Sequence, residues 1–427
     1  MDRRRLLSAV AGMVLAGSSG PAQACEIANP ARASEVTVLA NSFPSLQFLA
    51  EEMRGCTRGN LRVDTRLTPE VTVQARTALA AGGTSPFAVV QVSNSTFTEF
   101  VNRGWLQPIT DLVRANWDRY GFADIPQALW DQVSFEGQIY AIPFQTNVQQ
   151  LFYRKDVLDR LGIAVPRTWP EFVAAARAIK ERDSSIEFPI AQTFSRGWNI
   201  ATEFGNVYQS LGGTWLDARG MPTFNDERGV RAIELMRELV PFMSPNTFAF
   251  SNDDTMVAFQ QGRSALGIVW ASRAANMDAA DVSRVRGQVH FAPAPAAGDS
   301  GPSTVLWWDG FVIPRTIGVD RELAFHVVAQ ATDRESMMKG GGVAYWSRQA
   351  VTSDPRLVAE NRYWPALTQS IASGARIFPV RPQFSLAHTQ VGANILDALQ
   401  GRVTAKEALD RAAAAYVREA RTQGLLQ

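Results

Sequence analysis

The residue types that most often carry catalysis or bind metals are few and scattered in this sequence. Its three histidines, His290, His326 and His388, lie far apart, and none has another histidine or a cysteine at the spacing of a metal site. No phosphate-binding or dinucleotide-binding glycine motif follows a predicted strand. The sequence therefore predicts neither a metal nor another cofactor, and it favours a protein that binds its ligand without transforming it.

One short segment does resemble a catalytic motif. Residues 298–302 read GDSGP, as around the nucleophile of trypsin-like proteases. That chemistry also requires a histidine base oriented by an aspartate on a two-barrel β fold, whereas this segment falls in a loop rich in proline, alanine and glycine. A secreted hydrolase is therefore kept only as an alternative to a binding protein.

The most distinctive binding chemistry lies in TVLWWDGFVIP, residues 304–314, which has the pattern of one strand. Successive side chains of a strand point to opposite faces, so Trp307 and Trp308 cannot enter the same core. Asp309 shares a face with Trp307, unless a kink at Gly310 reverses the assignment. An aromatic ring beside a carboxylate suits a ligand with apolar C–H faces and hydroxyl groups, such as a sugar.

The elements that must position these side chains alternate between strands and helices. Residues 35–43, 60–67 and 87–95 have strand patterns, and helices are predicted between them over 46–54 and 71–81. This alternation is typical of an α/β fold built from parallel units. In such folds, ligands bind beyond the carboxyl ends of the strands.

That rule selects the candidate ligand-binding residues. Asn41 and Phe43 follow the first strand, and Ser93 and Asn94 end the third; turn chemistry explains the polar ones equally well. The further candidates lie at element ends or in loops: Phe144, Gln145, Arg196, Trp198, Trp270, Trp307, Trp308, Asp309, Tyr345, Arg348 and Arg381. For each aromatic residue the alternative is core packing. The three arginines leave an anionic ligand open, whereas Asp309 favours hydroxyl groups.

The composition limits the possible partners. The chain has 427 residues, of which 46% are hydrophobic and 19% charged, and its net charge is +1. This length allows two or more domains with sizeable cores. A near-neutral chain with dispersed lysines and arginines lacks the basic surface that nucleic-acid binding requires. The sequence therefore predicts a soluble protein that binds no nucleic acid.

The N-terminus predicts export. Residues 1–24 have the pattern of a signal peptide: a basic start, an apolar run and the small residues Ala22-Gln23-Ala24 at the cleavage site. The apolar run is too short to span a membrane. Paired arginines before two leucines leave the twin-arginine route open beside ordinary secretion. Outside the cytoplasm Cys25 and Cys56 are expected to form a disulfide, although lipidation of Cys25 as the first mature residue is the alternative.

Several motifs resemble one family when they are taken in order. Residues 135–180, FEGQIYAIPFQTNVQQLFYRKDVLDRLGIAVPRTWPEFVAAARAIK, resemble the centre of extracellular solute-binding proteins of bacterial ABC transporters, in the sugar-binding class that includes maltose-, polyol- and glycerol-phosphate-binding proteins. Arg154 stands where that family commonly has asparagine. GWLQPITDLV at 104–113, MVAFQQGRSALGIVW at 256–270 and the C-terminal residues 375–412 resemble later family segments in the same order.

The resemblance implies a fold and a function. The fold is a two-lobed periplasmic-binding-protein fold, each lobe a mainly parallel sheet flanked by helices, with crossing hinge strands between the lobes. We expect residues 25–144 and 311–352 in the N-terminal lobe, and 145–310 and 353–427 in the C-terminal lobe. The protein would be a periplasmic monomer that closes on a carbohydrate ligand and delivers it to a membrane permease. A neutral sugar or polyol is favoured over a sugar acid or a glycerol-phosphate-like ligand.

Overall fold

The computed structural model describes residues 25–377 and 381–426 as strands and helices that alternate along most of the chain. The predicted signal peptide, residues 1–24, lies outside the described residues. The strands are β1 (Ser34–Ala40), β2 (Leu61–Leu67), β3 (Val89–Ser93), β4 (Ser134–Phe135), β5 (Gln138–Ile139), β6 (Ala141–Asn147), β7 (Gln149–Arg154), β8 (Leu266–Trp270), β9 (Val289–Pro293), β10 (Val305–Val312), β11 (Tyr345–Trp346) and β12 (Arg376–Ile377).

Most of the chain between and after these strands is helical. The helices are α1 (Pro44–Arg54), α2 (Val71–Ala80), α3 (Asn94–Asn102), α4 (Thr110–Ala115), α5 (Gln127–Gln132), α6 (Lys155–Leu161), α7 (Trp169–Arg182), α8 (Trp198–Ser210), α9 (Glu227–Leu239), α10 (Asn252–Gln260), α11 (Arg321–Ala331), α12 (Arg334–Gly340), α13 (Gln349–Thr352), α14 (Pro355–Glu360), α15 (Trp364–Ala372), α16 (Pro382–Asn394), α17 (Leu396–Leu399) and α18 (Ala405–Thr422).

Local sequence explains where the best-defined helices begin. At the start of α7, Thr168 accepts from the Glu171 N–H while the Glu171 side chain accepts from the Thr168 N–H, which is a capping box. Thr404 and Glu407 form the same arrangement at the start of α18. Each box satisfies backbone donors that a helix N-terminus leaves without an intrahelical partner.

The larger sheet has the order β11-β6-β10-β3-β1-β2. Strand β1 is parallel to both β2 and β3, and β6 runs in the same direction because β10 is antiparallel to β3 and to β6. This sheet is therefore mixed: β1, β2, β3 and β6 run in one direction, and β10 and β11 run against them.

The smaller sheet has the order β8-β7-β9, and β7 is antiparallel to both neighbours. Here the strand directions differ from those of a mainly parallel sheet. Single parallel bridges from Leu266 to Ile190 and from Ile190 to Met243 continue this sheet beyond β8.

The part of the molecule around the larger sheet is here called the first lobe and the part around the smaller sheet the second lobe, and strand β10 contributes side chains to the hydrophobic clusters of both. Its first residues, Val305 and Leu306, pair with β12, and its later residues pair with β6 and β3. Trp307 packs in the hydrophobic cluster that contains Trp270, whereas Trp308 packs in the other, which contains Phe311. The alternation of side chains along one strand thus places the two adjacent tryptophans in different cores.

The predicted disulfide between Cys25 and Cys56 is confirmed. It ties the start of the described chain to the turn that follows α1, and both cysteines are buried. Among the helices of the described residues, none has the length and apolar character needed to cross a membrane.

Candidate functional site

A cavity of about 400 Å³ lies between the lobes. Helices α2 and α3 and the end of β3 form its wall on the first lobe, and α8, β10 and α16 form the wall on the second. Its lining residues are Thr72, Arg76, Ser93, Ser95, Thr96, Trp198, Trp307, Ser385, His388 and Thr389. The volume falls in the range of small-molecule sites.

Trp198 and Trp307 line this cavity and Trp270 packs against both rings; we call these three residues the tryptophan wall. Trp198 stacks on Trp270 with ring centroids 6.2 Å apart, and Trp307 lies edge-on to both rings at 5.4 and 5.9 Å. Trp307 and Trp270 are buried, whereas 39% of the Trp198 surface is exposed. The wall therefore presents one large apolar face, held by two buried rings behind it.

The position of Trp198 depends on a close approach of two backbones. It is the first residue of α8 and follows Gly197, whose N–H donates to the Gly392 carbonyl of α16 at 3.1 Å. A Cβ atom on Gly392 would lie 2.2 Å from the Gly197 carbonyl oxygen. Glycine at 392 thus lets α16 pack against the start of α8, so that both helices can line the cavity.

The opposite wall is polar. Ser93 and Ser95 at the start of α3 lie with their hydroxyl oxygens 3.0 Å apart. Arg76 of α2 donates to both carboxylate oxygens of Glu99, which also pairs with Arg103, so its guanidinium is engaged at the cavity rim. Ser385 of α16 donates to the Ser95 carbonyl oxygen at 2.9 Å, which is a direct hydrogen bond between the lobes. Hydroxyl groups facing an indole face suit a polyhydroxy ligand.

His388 completes the second-lobe side of the cavity. Its Nε2 lies 3.2 Å from the Thr202 hydroxyl, and its ring contacts those of Trp198 and Trp215. Burial lowers the pKa of His388 to about 3. The ring is therefore neutral at physiological pH and offers hydrogen bonding without charge.

A buried hydrogen-bond network lies beside the cavity at the crossing strands. The Asp309 carboxylate accepts from Gln91 Nε2 at 2.9 Å and from Gln145 Nε2 at 2.8 Å. Gln145 in turn accepts from the Ser45 hydroxyl at 2.7 Å. Burial raises the pKa of Asp309 to about 6, while hydrogen bonds from Gln145, Gln91 and Trp307 oppose the rise.

The structure brings some of the predicted residues together at this cavity and places others elsewhere. Ser93, Trp198 and Trp307 line it, Trp270 supports it, and Gln145 and Asp309 lie in the adjoining network. These residues come from β3, β6, β8, β10 and α8, so only the folded chain makes them neighbours.

Three candidates lie in the first-lobe interior instead. Phe144 is fully buried and stacks on Phe311 with centroids 4.9 Å apart. Trp308 is buried against Phe97. Arg348 is fully buried and donates to the backbone carbonyls of Thr332 and Gly121, at 2.7 Å each. Core packing and backbone carbonyls occupy these three side chains, so they do not line this cavity.

The remaining candidates have local partners. Asn41 accepts from the Ser42 N–H, and Phe43 immediately precedes α1. Arg196 is exposed and donates to the Ala393 carbonyl at 3.2 Å. Tyr345 bonds the Thr368 hydroxyl at 3.0 Å.

Two further candidates stand apart from these. Arg381 lines a different cavity, of about 420 Å³, beside Trp215. Asn94 is buried, and neither its amide nitrogen nor its amide oxygen has a hydrogen-bond partner among the described residues.

Sequence reasoning missed the lining residues that lie within the first turns or the body of helices. These are Thr72, Arg76, Ser95, Thr96, Ser385 and Thr389. The spacing of Thr72 and Arg76, and that of Ser385, His388 and Thr389, places each set on one helix face. That spacing was the signal in the sequence that could have indicated these residues, but it does not show which helix face meets the cleft.

The described residues at the cavity offer chemistry suited to binding a ligand. Within residues 25–377 and 381–426, no group of three or more acidic, histidine or cysteine side chains is arranged to hold a metal ion. Ser300 of the GDSGP segment lies in the loop before β10, where its N–H donates to the Ser210 carbonyl. An aromatic face, hydroxyl groups and a neutral histidine recognise a ligand by stacking and hydrogen bonding.

Comparison with known proteins places the chain among relatives of similar length. The model of the family described as bacterial extracellular solute-binding protein matches residues 45–320. The mannitol-binding protein of Pseudomonas aeruginosa is 24% identical over 346 residues, which cover 75% of this chain and 78% of that protein.

Two solved structures share the fold. The ABC transporter solute-binding protein of Agrobacterium radiobacter K84 in complex with ribitol has a TM-score of 0.81 at 21% identity, over 91% of this chain and 100% of that one. The solute-binding protein of Agrobacterium vitis S4 with bound D-mannitol has a TM-score of 0.77 at 22% identity, over 91% and 99%. The fold is thus the two-lobed periplasmic-binding-protein fold, and since the family model matches most of the sequence, the chain belongs to the bacterial extracellular solute-binding proteins.

Proposed function

We propose that this solute-binding protein captures a neutral sugar or polyol in the cavity between its lobes and delivers it to the permease of an ABC importer. The observation that carries the proposal is that the partly exposed Trp198 of the tryptophan wall lines the same cavity as Ser93 and Ser95. An indole face packs against the C–H face of a sugar or polyol, and the hydroxyl rim of that ligand needs hydrogen-bonding partners. The mannitol-binding relative and the ribitol and D-mannitol complexes support this ligand class.

The charges around the cavity favour a neutral ligand over a sugar acid or a phosphorylated polyol. An anionic ligand would need guanidinium groups free to bind it in pairs. Arg348 is buried away from the cavity, Arg381 lines a different one, and Arg196 donates to a backbone carbonyl. Arg76 does line the cavity, but its guanidinium already bonds both carboxylate oxygens of Glu99, which also pairs with Arg103.

Closure of the lobes would trap the ligand. We propose a hinge at the β6–β7 junction and in β10, with the lobes divided as 25–144 with 311–352 and 145–310 with 353–427. The Ser385–Ser95 hydrogen bond supports this proposal, because it can exist only when the two walls of the cavity are close. A ligand that contacts both walls stabilises the closed form, and the permease would read that form.

The protein would act outside the cytoplasm as a monomer and without catalysis. We propose that a signal peptide over residues 1–24 is removed and that Cys25 then begins the mature chain, through ordinary secretion or the twin-arginine route. The disulfide from Cys25 to Cys56 supports an unlipidated Cys25, because it uses the thiol that a lipid would modify.

Isothermal titration calorimetry of the mature protein, unfolded and refolded to remove bound ligand, tests this function. D-Mannitol, ribitol, maltose and D-gluconate are the probes. We expect saturable binding of at least one neutral probe and none of gluconate. Tight binding of gluconate alone would overturn the neutral-ligand proposal, and chromatographic detection of a converted product would overturn the proposal of binding without catalysis.

A further inference from the structure

A second cavity lies beside the hydrophobic core of the second lobe. Its volume is about 420 Å³, which is in the range of small-molecule sites. It lies between the C-terminal end of α8, the segment that follows α8, strand β12 and the start of α16. None of the described residues that line it also lines the cavity between the lobes. The proposed function makes no use of this second cavity.

Aromatic rings separate the two cavities. Trp215 and Phe384 line the second cavity, and their ring centroids are 5.0 Å apart. His388 lines the cavity between the lobes, and its ring centroid lies 5.8 Å from that of Trp215 and 5.8 Å from that of Phe384. The two cavities are therefore neighbours with distinct linings, so a small molecule in one does not have to displace a small molecule from the other.

Two arginines give the second cavity positive charge. Arg376 lies on β12 and Arg381 immediately precedes α16, and both residues are exposed and line the cavity. Within the described residues, neither guanidinium group has an ion pair or a hydrogen bond. Guanidinium groups bind phosphate and carboxylate oxygens through paired hydrogen bonds. The cavity thus offers two unengaged groups that are suited to an anion.

The start of α16 adds to this preference for an anion. The helix has 13 residues, no side chain caps its N-terminus, and its first turn contains no acidic residue. The N-terminal end of a helix carries partial positive charge, which a nearby anion stabilises. Phe384, in this first turn, lines the cavity. The helix dipole and the two arginines therefore favour the same kind of ligand.

Two hydrogen-bond acceptors restrict which anion fits. Asp217 lines the cavity, and its carboxylate accepts from the backbone N–H groups of Arg219 and Met221 at 2.8 Å each. Gln209 also lines it, is only 5% exposed, and has an Oε1 atom without a hydrogen-bond partner among the described residues. A carboxylate or amide oxygen can only accept. An anion that lies beside them must therefore bring a hydroxyl group that donates.

We propose that the second cavity binds a phosphate group together with a hydroxyl donor, either as hydrogen phosphate or as the phosphate ester of a small polyol. Arg376 and Arg381 bind the phosphate oxygens, and Asp217 and Gln209 accept from the hydroxyl group. Two guanidinium groups favour a doubly charged phosphate over a singly charged carboxylate. This site goes beyond the proposed function and does not depend on it.

Isothermal titration calorimetry of the mature protein in a phosphate-free buffer at neutral pH tests the site. The probes are inorganic phosphate, glycerol 3-phosphate and sulfate. We expect saturable binding of phosphate, of glycerol 3-phosphate or of both, and roughly tenfold weaker binding of sulfate, which has no hydroxyl group to donate. Tighter binding of phosphate would identify the free ion as the ligand, and tighter binding of glycerol 3-phosphate an ester. Saturable binding of neither, or sulfate binding as tight as that of phosphate, would overturn the inference.

Arg376→Gln and Arg381→Gln test which residues bind the phosphate group. We expect each substitution to weaken phosphate binding roughly tenfold and the double variant to show no saturable binding. Both side chains are exposed, so thermal unfolding should stay as in the wild type. The matched control is Arg237 of α9, which is exposed, has no ion pair within the described residues and lies outside the described lining. Arg237→Gln should bind phosphate like the wild type, and equal losses in all three single variants would overturn the inference.

Titration of phosphate into protein saturated with D-mannitol separates the two cavities. We expect phosphate binding to persist, because the described linings share no residue. Loss of phosphate binding in the presence of D-mannitol would place the phosphate between the lobes and overturn the inference. If D-mannitol itself does not bind, the proposed function fails for this polyol, and the arginine variants still decide whether the second cavity binds phosphate.

Discussion

Replacing Trp198 with alanine removes the exposed face of the tryptophan wall. A tryptophan side chain carries up to about 250 Å² of surface, and 39% of Trp198 is exposed. The ligand can therefore cover on the order of 100 Å² of the ring, which at about 25 cal/mol per Å² corresponds to roughly 2.5 kcal/mol of binding free energy. We expect Trp198→Ala to weaken binding by roughly 70-fold.

The loss of ring contacts with Trp270 and Trp307 also affects folding. Two aromatic pairs contribute about 1 to 3 kcal/mol together, so the variant should melt at a lower temperature but still fold. The matched control is Trp105→Ala, which removes a half-buried tryptophan that packs on Phe100, outside the described lining of the cavity. We expect this control to lose stability and keep its affinity.

Calorimetry with a ligand of the wild type, together with thermal unfolding followed by circular dichroism, separates these two effects. A Trp198→Ala variant that binds within threefold of the wild type would refute the assignment of this ring to the ligand. Equal losses of affinity in Trp198→Ala and Trp105→Ala would show that the effect arises from general destabilisation rather than from the cavity.

Three further predictions concern the hydrogen bond between the lobes, a buried acid and the disulfide. Ser385→Ala removes the hydrogen bond to Ser95 between the lobes, which contributes about 1 kcal/mol. The variant should therefore bind its ligand roughly fivefold more weakly, mainly because the ligand dissociates faster. Stopped-flow fluorescence measures this rate, and an unchanged dissociation rate would contradict the prediction. Burial raises the pKa of Glu203 to about 8 from its usual 4.5, so the folded protein keeps a proton that the unfolded chain releases, and stability falls as pH rises toward 8. Between pH 6.5 and 8 the wild type should lose about 2 kcal/mol of unfolding free energy in urea titrations, and Glu203→Gln should lose much less; parallel curves would count against a protonated Glu203. The disulfide closes a loop with a sequence separation of 31 residues. Replacing Cys25 and Cys56 with alanine should therefore lower the free energy of unfolding, measured in urea, by about 3 to 4 kcal/mol. Reducing agent should destabilise the wild type but leave the stability of this variant unchanged.

Short-range sequence patterns predicted much of the architecture. Thr168 and Glu171 are three residues apart, so the start of α7 follows from their capping box alone. The apolar run over 87–95 predicted the buried strand β3, which the structure places at Val89–Ser93. Export from the cytoplasm explains why Cys25 and Cys56 are paired. In each case the deciding interaction is local, or the chain offers one possible partner.

The site was harder to predict because its residues come from distant parts of the chain. Alternation along β10 required Trp307 and Trp308 to enter different environments, but not which of them meets the cavity. Arg348 was a reasonable candidate from its loop, yet its guanidinium bonds the Gly121 carbonyl, 227 residues away. Only long-range packing distinguishes such a structural arginine from one that binds a ligand.

The sequence by itself determined the α/β class, the family resemblance and the pair of different environments for TVLWWDGFVIP, because these depend on residue type and short spacing. The tertiary structure decided that Trp307 joins Trp198 and Trp270 at the cavity, and that Asp309 binds Gln91 and Gln145 rather than projecting into the cavity. The physical reason is that the cavity forms where α2 and α3 of one lobe meet α8 and α16 of the other. No local pattern encodes which helix faces meet there.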